Sequence, residues 1–144
     1  MKILGIIKGS CLCGGVQFEV TPPFIRANHC HCSRCRKHSG TAVCTQAMVK
    51  KDQFKLLKGK ELIKVFGRRE GGTKVFCKEC GSSLFGGSWP SGSEVSIRMG
   101  TFDSDPGIKP EFHSFVDSKA SWDNICDNLK QFPEGWKKHE EDGA

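Results

Sequence analysis

A chain of 144 residues is long enough for one domain, spanning 1–144, to bury a core without disulfide staples. Its formal charge of +6 comes from 22 basic residues scattered along the sequence with no run of five or six together, which argues against nucleic acid as a partner because the footprint of such binders is clustered. The opening "MKILGIIKGSCLCGG" turns polar too soon for a signal h-region or a bilayer span; with neither expected, the nine cysteines are read as reduced thiols in the cytoplasm, and their odd number forbids complete pairing within the chain.

In chain order, short apolar alternations bounded by Gly or Pro predict strands over 14–20 ("GGVQFEV"), 41–49 ("TAVCTQAMV"), 54–59 ("FKLLKG"), 62–67 ("LIKVFG"), 82–87 ("SSLFGG") and 94–100 ("EVSIRMG"). The expected class is therefore mainly β with short helical segments. A helical turn or two is expected in "CSRCRKHSG". A short helix is expected in "SKASWDNICDNLKQF", where Ser118 or Ser121 offers a cap and Trp122, Ile125, Cys126 and Leu129 recur at helical spacing. No solenoid repeat or low-complexity segment appears. The core is expected over about 8–132, and the tail "KKHEEDGA" reads as a solvated end.

The cysteines carry the chemistry. Cys11 and Cys13 stand one residue apart in "GSCLCGG", and Cys77 and Cys80 form a C-x-x-C knuckle in which Gly81 supplies the turn. Four such sulfurs are the number a tetrahedral structural zinc needs, and zinc of this kind contributes ~10 kcal/mol or more to folding. Cys30, Cys32 and Cys35 then remain as C-x-C-x-x-C, a three-ligand loop that leaves a fourth position open for water or substrate. Spacing alone leaves another partition standing: Cys32 and Cys35 with Cys77 and Cys80 would make a zinc ribbon, with Cys11, Cys13 and Cys30 left over. Zinc with three thiolates is already anionic, and a fourth thiolate adds to that charge; His29, His31, Arg34, Arg36, Lys37 and His38 are the neighbours expected to compensate it. Cys44 and Cys126 lie in apolar segments and read as small core residues, His113 reads as a core histidine, and His139 carries no assignment.

The segments "GSCLCGGVQFEV", "HCHCSRCRKHSGTA", "KVFCKECGSSLF" and "PEFHSFVDSKASW", in this order from about residue 8 to 122, closely resemble the family of glutathione-dependent formaldehyde-activating enzymes, also called the Gfa-like or centromere-protein-V domain. The resemblance implies an Mss4-like zinc-binding β-sheet fold with a structural zinc on Cys11, Cys13, Cys77 and Cys80 and a labile, functional zinc on Cys30, Cys32 and Cys35. It also implies carbon–sulfur lyase chemistry, in which the thiol of glutathione or another small thiol adds to formaldehyde to give an S-hydroxymethyl adduct. Zinc-lowered thiol pKa and carboxylate binding by the basic loop make this chemically intelligible. Thiols that displace the zinc would instead make the loop a metal carrier or sensor. A different class of function is a non-catalytic, zinc-stabilised module that binds protein or nucleic acid; it requires further protein ligands, such as Cys44 or a loop histidine, to close the three-cysteine site.

Overall fold

The computed structural model describes residues 5–67 and 72–136. The tail 137–144, with His139, lies outside the described residues. A small sheet of three strands is ordered β1 (Ile7–Ser10), β2 (Gln17–Val20), β5 (Phe54–Lys58). A larger sheet is formed by β3 (Arg26–Cys30), β4 (Cys44–Lys50), β6 (Ile63–Phe66), β7 (Thr73–Cys77), β8 (Ser83–Gly87), β9 (Glu94–Arg98), β10 (Phe112–Ser114) and β11 (Lys130–Gln131). Its order is β11-β10-β3-β4-β9-β8-β7-β6, antiparallel except where β10 runs parallel to β3 and to β11. The mainly β expectation holds, and the helical turn in the cysteine loop is α1 (Ser33–Ser39).

The apolar core lies between the sheets. Alternation points Val95 and Ile97 of β9, Val49 of β4 and Phe85 of β8 to the inner face of the large sheet, where all are buried. From the small sheet Phe18 meets Phe85 edge-on at 5.3 Å between centroids and stacks on Phe54 at 5.5 Å. At ~1.5–3 kcal/mol for each large side chain removed from water, this layer outweighs anything a seven-residue helix contributes. Gly9 belongs to the same packing, because a Cβ there would sit 2.2 Å from Cζ of Phe18.

The opposite face of the large sheet is buried but polar. The register sets Asn28 of β3 beside Gln46 of β4 and Gln46 beside Arg98 of β9, with Cys30 opposite Cys44 one step along. Asn28 Nδ2 donates to Ser114 Oγ (3.0 Å), Gln46 Nε2 to Asn28 Oδ1 (3.2 Å), and Arg98 Nη1 and Ser96 Oγ both to Gln46 Oε1 (2.6 and 2.9 Å). This hydrogen-bonded row crosses four strands and satisfies Asn28, Ser96, Ser114 and the Nη1 of Arg98, groups that would otherwise be costly to bury.

The helix expected within 118–132 does not form. A 3-10 turn at Val116–Ser118 is followed by turns and irregular chain, and β11 then pairs with β10. Backbone groups that a helix would use internally go elsewhere: Phe132 N–H donates to His113 O and Val116 N–H to Phe132 O. Lys119 Nζ donates to Asp123 O, and Asp127 takes the Leu129 N–H on its own carboxylate, the local competition that makes Asp and Asn poor helix formers. Trp122 is accordingly 70% exposed and Cys126 is exposed, so Cys126 is not a core residue. Among the described residues no helix is long and apolar enough to cross a membrane.

Candidate metal centres

Two groups of cysteine sulfurs converge, in each of which all Sγ atoms lie within 4.8 Å of one another: Cys11, Cys13, Cys77 and Cys80, and separately Cys30, Cys32 and Cys35. The ribbon partition left open by spacing does not occur. Such close sets of soft thiol donors suit a tetrahedral, sulfur-preferring ion, and each could hold a metal.

The four-sulfur group is built from two turns. Cys11 and Cys13 follow β1, where Gly14 N–H donates back to Cys11 O and Val16 N–H donates to Cys11 Sγ at 3.2 Å. Cys77 ends β7, and Gly81, at φ +76°, closes the second turn by donating to Cys77 O. Leu12 N–H donates to Ser82 Oγ, which tethers one turn to the other. The Ser82 hydroxyl also lies 3.3 Å from Cys80 Sγ and is the foremost cause holding that thiol down to about 5. Because Cys11 continues the small sheet and Cys77 the large one, this group joins the two sheets.

The three-sulfur group is local. Cys30 ends β3, Cys32 caps α1 by accepting the Cys35 N–H on its sulfur (3.3 Å), and Cys35 points inward from the first turn. Gly40, at φ 72°, ends the helix in the left-handed region. The sulfurs act as a unit: hydrogen bonds from Cys30 and Cys32 hold the Cys35 thiol well below its usual range, Cys44 and Lys74 add to this, and the same contacts push Cys30 up. Cys44 is buried beside this group, as expected of a core residue, yet its sulfur is outside the set that shares the 4.8 Å limit.

The charge around the tripod differs from the sequence expectation. His31 is fully buried, with Nε2 2.8 Å from His113 Nδ1, and His113 Nε2 lies 3.0 Å from both oxygens of Asp127. His29 stacks on His113 at 4.9 Å and contacts Thr45 Oγ1. His113 is buried as read from sequence, as the middle of this network. Burial lowers the pKa of His29, His31 and His38, the last to about 4 with Arg98 and Lys74 contributing, so these three histidines are neutral near pH 7 and supply no compensating cation. Lys74, buried with Nζ 3.5 Å from Cys35 Sγ, is a cation in direct contact with the tripod. Arg98, also buried, is not conspicuous in the sequence; the available signal is a cation one residue out of phase with Ile97 in β9, in a strand buried on both faces.

Two hollows meet at His38. A cleft of about 770 Å³ extends from Cys11 and Ser82 to His38, Cys44 and Arg98. A smaller one of about 340 Å³ is lined by Arg34, Lys37, Lys74, Phe66 and Phe76 together with His38. The arrangement can hold a soft metal against a cationic, partly apolar wall open to a small ligand.

The family model described as "Glutathione-dependent formaldehyde-activating enzyme" matches residues 6–118. A protein of Halomonas elongata named "Putative glutathione-dependent formaldehyde-activating enzyme" is 30% identical over 129 residues, covering 83% of this chain and 81% of its own length. The crystal structure of a Rhodobacter sphaeroides protein superposes with a TM-score of 0.56 at 23% identity, over 69% of this chain and 92% of that one, a likeness of fold. Since the matched span contains every sulfur of both clusters together with the strands and turns that gather them, the chain belongs to the glutathione-dependent formaldehyde-activating enzyme family.

Proposed function

We propose that the chain is a cytoplasmic zinc enzyme of the carbon–sulfur lyase class, folded as one domain, that joins a small thiol such as glutathione to formaldehyde or cleaves the resulting S-hydroxymethyl adduct. Cys11, Cys13, Cys77 and Cys80 hold a structural zinc, and Cys30, Cys32 and Cys35 hold the functional one. The observation that carries the reading is the three-sulfur cluster itself, packed against Lys74 and Cys44, each of which lines a hollow open to solvent. When bound there, zinc supplies a Lewis-acidic position at which a thiol is held as thiolate at neutral pH.

In the addition, a sulfur–carbon bond forms, the carbonyl π pair moves to oxygen, and the proton released by the thiol ends on the new hydroxyl. Lys74 Nζ, 3.5 Å from Cys35 Sγ, stabilises negative charge on the sulfurs as thiolate gathers. Arg34 and Lys37, on the wall of the smaller hollow, offer point and fork contacts to an anionic thiol. The non-catalytic binding module needs a fourth protein ligand, and Cys44, buried beside the cluster, is outside the converging set.

The test is the rate at which S-hydroxymethylglutathione appears from ¹³C-formaldehyde and glutathione, followed by NMR. The wild-type chain is expected to exceed the uncatalysed rate and the Cys32→Ala/Cys35→Ala variant to match it. A wild-type rate equal to the uncatalysed one refutes the assignment.

A further inference from the structure

Arg98 is 5% exposed, and among the described residues its Nε and Nη2 have neither a hydrogen-bond partner nor a carboxylate. Only Nη1 is anchored, by Gln46 Oε1 at 2.6 Å and Ser96 Oγ at 3.2 Å. A buried guanidinium with donors left over is expensive, because each unmet donor forfeits its hydration without replacement. The sheet nevertheless makes room for it. Gly86 is the residue over which the guanidinium lies, and a Cβ there would be 2.4 Å from Nη2 and 2.9 Å from Cζ. Arg98 also lines the larger cleft, together with His38, whose two ring nitrogens are likewise buried without partners. Nε and Nη2 form one edge of the planar fork, which matches the two oxygens of a carboxylate.

We propose that Arg98, with His38, is the recognition point for a carboxylate of the thiol substrate, so that the site selects thiols bearing a carboxylate near sulfur. This rests on the reading of Cys30, Cys32 and Cys35 as the place where the thiol binds. Gln46 and Ser96 hold the guanidinium through Nη1 and leave Nε and Nη2 buried without a protein partner, and the carboxylate completes a group that the protein leaves incomplete. A neutral His38 meets the anion as a hydrogen-bond donor.

The experiment is calorimetric titration of the zinc-loaded full chain with 3-mercaptopropionate and with 2-mercaptoethanol, which differ in carboxylate against hydroxyl. It is made on wild type, Arg98→Met and Arg98→Lys, with zinc content measured for each. Charged hydrogen bonds of this kind are worth ~1.5–3 kcal/mol, so Arg98→Met is expected to lower the affinity ratio of the carboxylated to the hydroxylated thiol by about tenfold or more. Its affinity for 2-mercaptoethanol and its zinc content should be unchanged. Arg98→Lys, keeping charge without the fork, should fall between, and it carries the test alone if Arg98→Met does not fold. An unchanged ratio, or equal weakening of both thiols, would make Arg98 only a counter-charge to the cysteine sulfurs and overturn the proposal while leaving the proposed function in place. Failure of wild type to bind either thiol would remove both.

Discussion

His38 illustrates how burial decides a residue's role. Its pKa falls from 6.5 to about 4, chiefly through desolvation and then through Arg98 and Lys74. A base whose folded pKa is depressed binds fewer protons folded than unfolded between those two values, so its contribution to stability is full above about 6.5 and is lost as pH falls toward 4. His38→Gln should therefore show a shallower decline of unfolding free energy between pH 6.5 and 4 than wild type, measured by urea denaturation at each pH. Equal slopes would place His38 in solvent. Lys74 makes the complementary case: its ammonium lies 3.5 Å from a tripod sulfur. Lys74→Met should weaken zinc binding at Cys30, Cys32 and Cys35 by roughly tenfold, about 1.4 kcal/mol for one charge-assisted contact. Lys74→Arg should restore most of it, and competition with a chromophoric chelator reads both.

Strand packing sets the next scale. Gly9→Ala would drive a methyl into the ring of Phe18, which is fully buried and fixed between Phe54 and Phe85. The expected cost is about 1–3 kcal/mol in chemical denaturation, and a neutral result would show that the small sheet can shift away from the large one. The elements legible in the sequence were those with clean alternation beside glycine: β2, β5, β6, β8 and β9 lie within the expected segments, and β4 overruns its segment by one residue, Lys50. β3 was hidden because "RANHC" is polar at positions that the fold buries, Asn28 in the hydrogen-bonded row and His29 against His113. β10 has only three residues and gains its identity from β3. Around 118–132 the helical spacing of apolar residues misled, because the Asp127 carboxylate is taken by Leu129 N–H and His113 and the Asp123 carbonyl by Lys119 Nζ, in a chain of turns. The seven converging cysteines were legible through spacing and family likeness. Arg98 was not, since an isolated cation in a strand reads as surface until both faces of the sheet are known to be buried.

Across the whole molecule the two clusters differ in reach. Cys11 and Cys13 meet Cys77 and Cys80 across the junction of the two sheets, whereas Cys30, Cys32 and Cys35 are neighbours in sequence. If the four-sulfur cluster holds the structural zinc proposed for it, releasing ~10 kcal/mol of its energy would exhaust the 5–15 kcal/mol that stabilises a typical domain. Loss of the local cluster would disturb mainly the start of α1 and the end of β3.

The most direct measurement is therefore zinc content and circular dichroism of wild type, Cys11→Ser/Cys77→Ser and Cys32→Ala/Cys35→Ala, each with and without excess glutathione. The account predicts a folded Cys32→Ala/Cys35→Ala variant that has lost only the zinc that glutathione engages in wild type, and a Cys11→Ser/Cys77→Ser variant that does not fold. Zinc at both clusters indifferent to glutathione, together with unfolding of the Cys32→Ala/Cys35→Ala variant, would contradict it and make both centres structural.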